Sequence, residues 1–332
     1  MKKQLTIIAI VAAAAALLPI IIGENPYITG IMISMLMMAA LASAWNILGG
    51  FAGQYSFGHA AYFGAGAYTT MIVLSRLNPN PLFGIVAGII VACIIALVTG
   101  SIVFRLRGHY FGLASIAVAE IVRLSTLNFE FTGGAQGILL SDVSLWGIDL
   151  NSKNPFYYGM LLLLVVTLSI TVWLGKSKTG YYLQAIREDQ DAAASLGINL
   201  AFYKKKALLI SAALTSVAGS LYAVYIRFID TSAVLDLRLS IEIILTAIIG
   251  GVGTLWGPVI GALLLVPLAE VLRSNVLGDL LVKLGLVSET SGIGIFLKEN
   301  LAHAHVLAYG IITVLCILYL PKGILGLFRR VK

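Results

Sequence analysis

Charge is what this sequence has least of. Only 11% of its 332 residues are Asp, Glu, Lys or Arg, against 59% apolar, where a soluble domain carries about 25% charged residues. So few charges cannot cover a water-soluble surface of this size, and a chain this apolar is neither disordered nor a coiled coil, a collagen or a disulfide scaffold. Cysteine is scarce too. Cys93 and Cys316 lie far apart in apolar runs, without the paired spacing of a metal or redox centre. No nucleophile–base constellation and no pair of carboxylates within one apolar run argues for chemistry on a substrate. A phosphate-binding loop is also missing, because Gly175-Lys176-Ser177 is preceded by Ile170 where that motif needs glycine. His303 and His305 have no further ligand near them in sequence, so no metal site is expected. These absences leave an integral membrane protein.

What is present is a series of long apolar runs. A spanning helix needs about 20 mostly apolar residues to cross a core of about 30 Å. Spans are expected at 5–22, 28–48, 59–76, 82–104, 109–127, 156–174, 207–228 and 306–321, with a broken segment at 241–272. Lys2 and Lys3 before the first run suggest a signal peptide, but no small-x-small cleavage site follows, so an uncleaved first span is expected. The fold class expected is all-α: a polytopic membrane bundle of about 8–10 spans, including short or broken re-entrant helices. The whole of 1–332 reads as one transmembrane domain, with a cytosolic connection at 175–206.

Net charge is +7, from 22 basic and 15 acidic residues. No aromatic–basic patch accompanies it, so no nucleic acid is expected as a partner. Sorted by connection, the excess becomes an orientation signal. With the N-terminus inside, the inner connections and both termini hold fourteen Lys and Arg against three acids; the outer ones hold six against ten. Both termini are therefore expected in the cytosol. The same count forces 241–272 to enter the membrane and return. Its helix breaker is Gly250-Gly251-Val252-Gly253-Thr254-Leu255-Trp256-Gly257-Pro258. Irregular backbone survives at membrane depth only where protein or a wet cavity satisfies it. A second break of this kind runs from Gly49 to His59, and glycine-interrupted segments in the two halves of a chain point to a transport pathway. Candidate pathway residues are Asn46, Gln54, Ser56, His59, Gly250, Gly251, Gly253 and Thr254, with an ordinary packing role as the alternative for His59. Four charges fall within spans. Glu120 and Arg123, three residues apart, share a helix face and can neutralise each other; Arg227 and Glu242 sit near span ends.

The connection at 175–206 is long, polar and rich in alanine around Ala185–Gly197. A single helix over 182–198, capped by Gly197, is expected there. It is either a solvated connector or a docking helix for a soluble partner.

Asp191-Ala192-Ala193-x-x-x-Gly197 resembles the EAA-x3-G coupling element of ABC importer permeases, with Asp in place of Glu and with Lys204-Lys205-Lys206 near the place of its hydrophobic-Pro part. Three further blocks resemble LivM-type permeases of branched-chain amino acid importers: Asn46–Tyr68, Gly250–Ala262 and Tyr319–Leu327. The likeness extends from Arg187 on to Tyr222. The resemblance implies an ABC importer permease fold in a bacterial cytoplasmic (inner) membrane. It implies a second, LivH-like permease, two ATP-binding subunits, and a periplasmic or extracellular binding protein. ATP and Mg would be bound by the ATPase partners, this chain holding no cofactor. Coupling to them would fall to Arg187, Glu188, Asp189, Asp191, Ala192, Ala193 and Gly197. Branched-chain amino acids are the substrates implied, with urea and short amides as those of related systems. An ion-coupled carrier or channel acting alone is the rival from another class.

Overall fold

The structure is a computed structural model. It describes residues 2–23, 25–77, 80–106, 108–140, 144–145, 148–149, 152–273, 310–311, 314–315 and 323–329. The expected span at 306–321 falls almost wholly outside the described residues, as do His303 and His305.

The first helices run Lys2–Ile22 (α1), Pro26–Ala52 (α2), His59–Arg76 (α3), Pro81–Val103 (α4) and His109–Asn128 (α5). Local chemistry sets their starts. The Asn25 side chain accepts from the backbone N–H groups of Tyr27 and Ile28 with Pro26 beginning the helix, and Asn80 accepts from Leu82 with Pro81 in the same place. After two 3-10 turns come the two-residue strands Ile138–Leu139 (β1), Ser144–Leu145 (β2) and Ile148–Asp149 (β3). The chain continues through Asn154–Gly175 (α6), Lys178–Glu188 (α7), Gln190–Ser195 (α8) and Leu200–Ile226 (α9). Strand Phe228–Ile229 (β4) pairs antiparallel with β1 and ties the end of α9 to the turns after α5. Then follow Thr231–Val234 (α10), Leu237–Gly250 (α11) and Gly257–Arg273 (α12), and a short helix at Ile324–Arg329.

Six of these helices, α1, α2, α4, α5, α6 and α9, are long and apolar enough to cross a membrane. The chain is thus an all-α multi-pass membrane protein. Helix α3 is less apolar because its own chain encloses it: it packs between α4 and α9 with almost every residue buried. Glycine allows that approach. A Cβ on Gly66 would lie 2.1 Å from Ser216 O, and one on Gly219 would lie 2.0 Å from Phe63 O, so the α3 and α9 backbones meet directly. Helix α2 packs against α6, α9, α11 and α12, and α1 leans on α6, where the Tyr157 hydroxyl donates to Ala15 O at 2.6 Å.

Two expectations need correction. The span expected from 207 begins at Leu200, because Asn199 caps α9 through Phe202 N and carries the lysine run into the helix. The single helix expected over 182–198 is two helices. Asp189 is extended (φ −155°, ψ 116°) and its carboxylate accepts from Asp191 N and Ala192 N, so it ends α7 and starts α8. An aspartate that caps a new helix competes with continuing the old one. The break falls where expected, between two shorter helices, α11 and α12, of 14 and 17 residues, which pack against each other.

Candidate functional site

The two glycine breaks meet, and Asn46 joins them. It is buried in α2, its Oδ1 accepting from Gly253 N at 2.8 Å and its Nδ2 donating to Thr254 O at 2.8 Å. Both halves of one amide are used on a turn about two hundred residues away in sequence. Within that turn Gly251 and Gly253 have φ of 128° and 76°. Thr254 Oγ1 donates to Gly251 O and accepts from Gly257 N, which holds the turn at the start of α12. Gly250 has no room for a side chain: a Cβ there would lie 1.8 Å from Gly257 O.

Arg187 completes the joint. From the last turn of α7, its NH1 donates to Gly50 O at 3.0 Å, while Nε and NH2 donate to Glu188 Oε1 at 3.2 and 2.7 Å. A Cβ on Gly53, whose φ is 65°, would lie 2.9 Å from Arg187 Cγ, and one on Gly253 would lie 2.9 Å from Arg187 NH1. The far end of the chain arrives at the same place, since a Cβ on Gly323 would be 2.5 Å from Gly251 Cα. Four separated sequence blocks thus converge on one joint. An open cleft of about 370 Å³ lies beside it, lined in part by Gln4, Phe51, Lys176, Thr254 and Trp256.

The remaining residues singled out in the sequence divide into two groups. Gln54, Ser56 and His59 are buried and engaged within the chain itself. Gln54 Nε2 donates to Ala52 O, Ser56 Oγ accepts from Gly58 N, and Ser56 O accepts from Trp45 Nε1 at 2.8 Å. Ser211 Oγ donates its one proton to Ala44 O, so His59 Nε2, 2.8 Å away, is the donor to that hydroxyl. The structure brings none of these three to an open surface. Asp191, Ala192 and Gly197 are exposed with α8, and Ala193 is buried beneath it. Gly197 has φ 83° with open space around it, and Ile198 N returns to Ala193 O at 3.1 Å, closing the helix in a Schellman-type cap. Leu196 beside it is 81% exposed.

Lys204 was not distinguishable in sequence. The three consecutive lysines read there only as inside charge, yet Lys204 is buried and its Nζ donates to Gln190 Oε1 at 2.9 Å, tying α9 to α8. Glu120 and Arg123 do form the pair that their spacing implied, with Nε to Oε2 at 2.9 Å. Among the described residues, no group of three or more His, Cys, Asp or Glu side chains could hold a metal ion.

Residues 27–283 match the family described as branched-chain amino acid transport system / permease component. The chain is 27% identical over 304 residues to the high-affinity branched-chain amino acid transport system permease protein LivM of Escherichia coli, covering 82% of this chain and 69% of that protein. It is 25% identical over 308 residues to the permease protein BraD of the corresponding Pseudomonas aeruginosa system, covering 87% and 91%. With the permease protein LivH of Salmonella typhimurium it shares 24% identity over 253 residues, covering 71% and 81%.

Proposed function

The chain belongs to the permease component family of branched-chain amino acid transport systems, a LivM-like transport subunit and not an enzyme, and from that premise we propose that it forms half of an ATP-driven import pathway. In this reading its pathway completes with a LivH-like second permease. Two ATPase subunits, which carry the ATP and Mg, engage the cytosolic connection at 175–206, and an external binding protein delivers the substrate. The chain lies in a bacterial cytoplasmic membrane with both termini in the cytosol. Branched-chain amino acids are the substrates, and the apolar character of the spans suits their side chains.

One observation carries the coupling: Arg187, on the α7–α8 elbow, is hydrogen-bonded to Gly50 and packed on Gly253. A push on α8 reaches α7 through the Asp189 cap, and α7 ends on the joint between α2, α11 and α12. Paired short helices around a glycine turn can tilt without breaking a full-length span, which makes them suited to alternate between outward and inward states.

Reconstitution tests this. The complete set of subunits in proteoliposomes is expected to take up leucine only with ATP inside and binding protein outside. Uptake by this chain alone, driven by a proton or sodium gradient, would overturn the reading in favour of a self-contained carrier. Accumulation of urea or a short amide with no leucine transport would keep the machinery and replace the substrate.

A further inference from the structure

The ion pair on α5 has a location that packing does not account for. Glu120 lies about 16 Å along a helix of about 29 Å, near its middle, and Arg123 about 21 Å along, one turn farther toward its C-terminal end, at 1.5 Å per residue; both fall within the apolar span. Yet their side chains keep 45% and 30% of their exposure. Helices α1 and α4 are also poorly covered by the rest of the described residues, but neither carries a charge between Gln4 and Ile22 or between Pro81 and Val103. They can face hydrocarbon. Helix α5 does so less readily, because charged side chains within a span face a bundle interior or a wet cavity. The uncovered side of α5 therefore faces water or a second permease. Asp236 caps the start of α11, a helix that packs against α5.

The pair also has unused bonding capacity. Arg123 donates through Nε and NH2 only, and among the described residues NH1 donates to nothing. Its fork has five N–H groups in all, and a carboxylate has roughly four acceptor positions. A ligand carrying a carboxylate and an ammonium on one carbon matches what is left on each side. Ala117, Ile121 and Leu124, exposed beside the pair, offer an apolar strip for its side chain.

We propose that Glu120 and Arg123 form a recognition point for the zwitterionic backbone of an α-amino acid on the pathway-facing side of α5. The carboxylate lies toward Arg123 NH1 and the ammonium toward Glu120. This rests on the importer reading above and narrows its substrate class, since urea and simple amides have neither charged end. Mutual neutralisation lowers the cost of holding the empty site within the span. It also keeps binding weak, as passage through a pathway requires.

The test uses the assembled importer. In Glu120→Gln/Arg123→Gln both charges go together, and removing a whole ion pair is often neutral for folding. A purely structural pair predicts unchanged leucine uptake. The expected result is at least a tenfold loss of uptake, with assembly and binding-protein-stimulated ATP hydrolysis retained. A second measurement avoids touching the pair: Ala117→Cys, with Cys93 and Cys316 changed to Ser, treated with a charged, membrane-impermeant thiol reagent. Labelling slowed several-fold by excess leucine is expected. Wild-type uptake by the double variant, or labelling that is absent or indifferent to leucine, would overturn the proposal. If the unaltered importer shows no ATP-driven leucine uptake, the importer reading fails first and separately.

Discussion

Arg187 NH1 lies 3.0 Å from the carbonyl oxygen of Gly50, joining residues 137 apart in the chain. That oxygen belongs to the last turn of α2, where backbone carbonyls have no partner within the helix. The connection between α6 and α9 supplies the missing donor and so becomes part of the helical bundle's own capping. A hydrogen bond from a charged donor is worth about 1.5–3 kcal/mol.

Replacement of Arg187 is expected to separate ATP hydrolysis from transport. Arg187→Ala removes the bond to Gly50 and the contact with Glu188, so ATPase subunits still bind while leucine uptake falls at least tenfold. Arg187→Lys keeps the charge but has no planar fork to serve Gly50 and Glu188 together. Its uptake should lie between the two. Paired measurements of ATP hydrolysis and uptake in the same vesicles check this; full uptake by Arg187→Ala would sink the coupling role.

Gly253 and Gly197 both have left-handed φ but differ in their surroundings, which predicts different outcomes. A side chain at Gly253 meets Arg187 NH1 at 2.9 Å and Gly50 O at 3.2 Å, whereas Gly197 has open space. At Gly197 the cost is backbone conformation alone, about 1–2 kcal/mol for Ala, and Asn, which tolerates this region, should recover most of it. At Gly253 neither Ala nor Asn should be tolerated. Thermal unfolding in detergent is expected to rank Gly197→Asn near wild type, Gly197→Ala below it and both Gly253 variants lowest. Equal losses at the two positions would show that crowding is not the difference.

The spans were legible because apolar runs of the right length end in strong local signals, such as Asn-Pro before α2 and α4. The glycine turn between α11 and α12 was legible for the same reason. The break at Asp189 was not, since an alanine-rich stretch reads as one helix and nothing local says that its aspartate will cap instead. Nor could the sequence reveal the convergence of Asn46, Gly50, Arg187 and Gly253. Asn46, Arg187 and Gly253 stand out in separate segments for separate reasons, and the hydrogen bonds that unite them cross 137 to 208 residues. The part of the candidate site that rests on local pattern could be read; the part that rests on tertiary packing could not.

Asn46 is expected to be among the least replaceable side chains of the joint. Asn46→Ala leaves Gly253 N and Thr254 O without their partners; both are part-buried beside the open cleft, so the loss is that of two hydrogen bonds, about 0.5–1.5 kcal/mol each. Asn46→Asp is predicted to be worse at neutral pH, because an acceptor-only carboxylate would face Thr254 O where an amide now donates. Asn46→Gln has the right groups on a side chain one methylene too long. The expected order of uptake is wild type, then Gln, then Ala, then Asp. Recovery of Asn46→Asp to the level of Ala in mildly acidic medium would follow from its protonation, which restores a donor.

Leu196 makes the last prediction, about the surface that α8 offers. At 81% exposure it is a large apolar side chain at the end of a helix whose exposed residues, Asp191, Ala192, Ala194 and Ser195, include no other large apolar one. A single exposed leucine is unremarkable on a soluble surface. Here it stands on the Gly197 cap of the segment proposed to receive the ATPase, where burial of a leucine side chain is worth about 1.5–3 kcal/mol. Leu196→Asp should therefore weaken ATPase subunit binding by roughly ten- to a hundredfold, the factor that such a free energy implies. The permease itself should fold normally, since the side chain packs on little of its own chain. Titration of detergent-solubilised permease complex with ATPase subunits measures the first effect, and thermal unfolding without them measures the second. Unchanged ATPase affinity would remove α8 from the docking surface and leave Arg187 as a packing residue of the bundle.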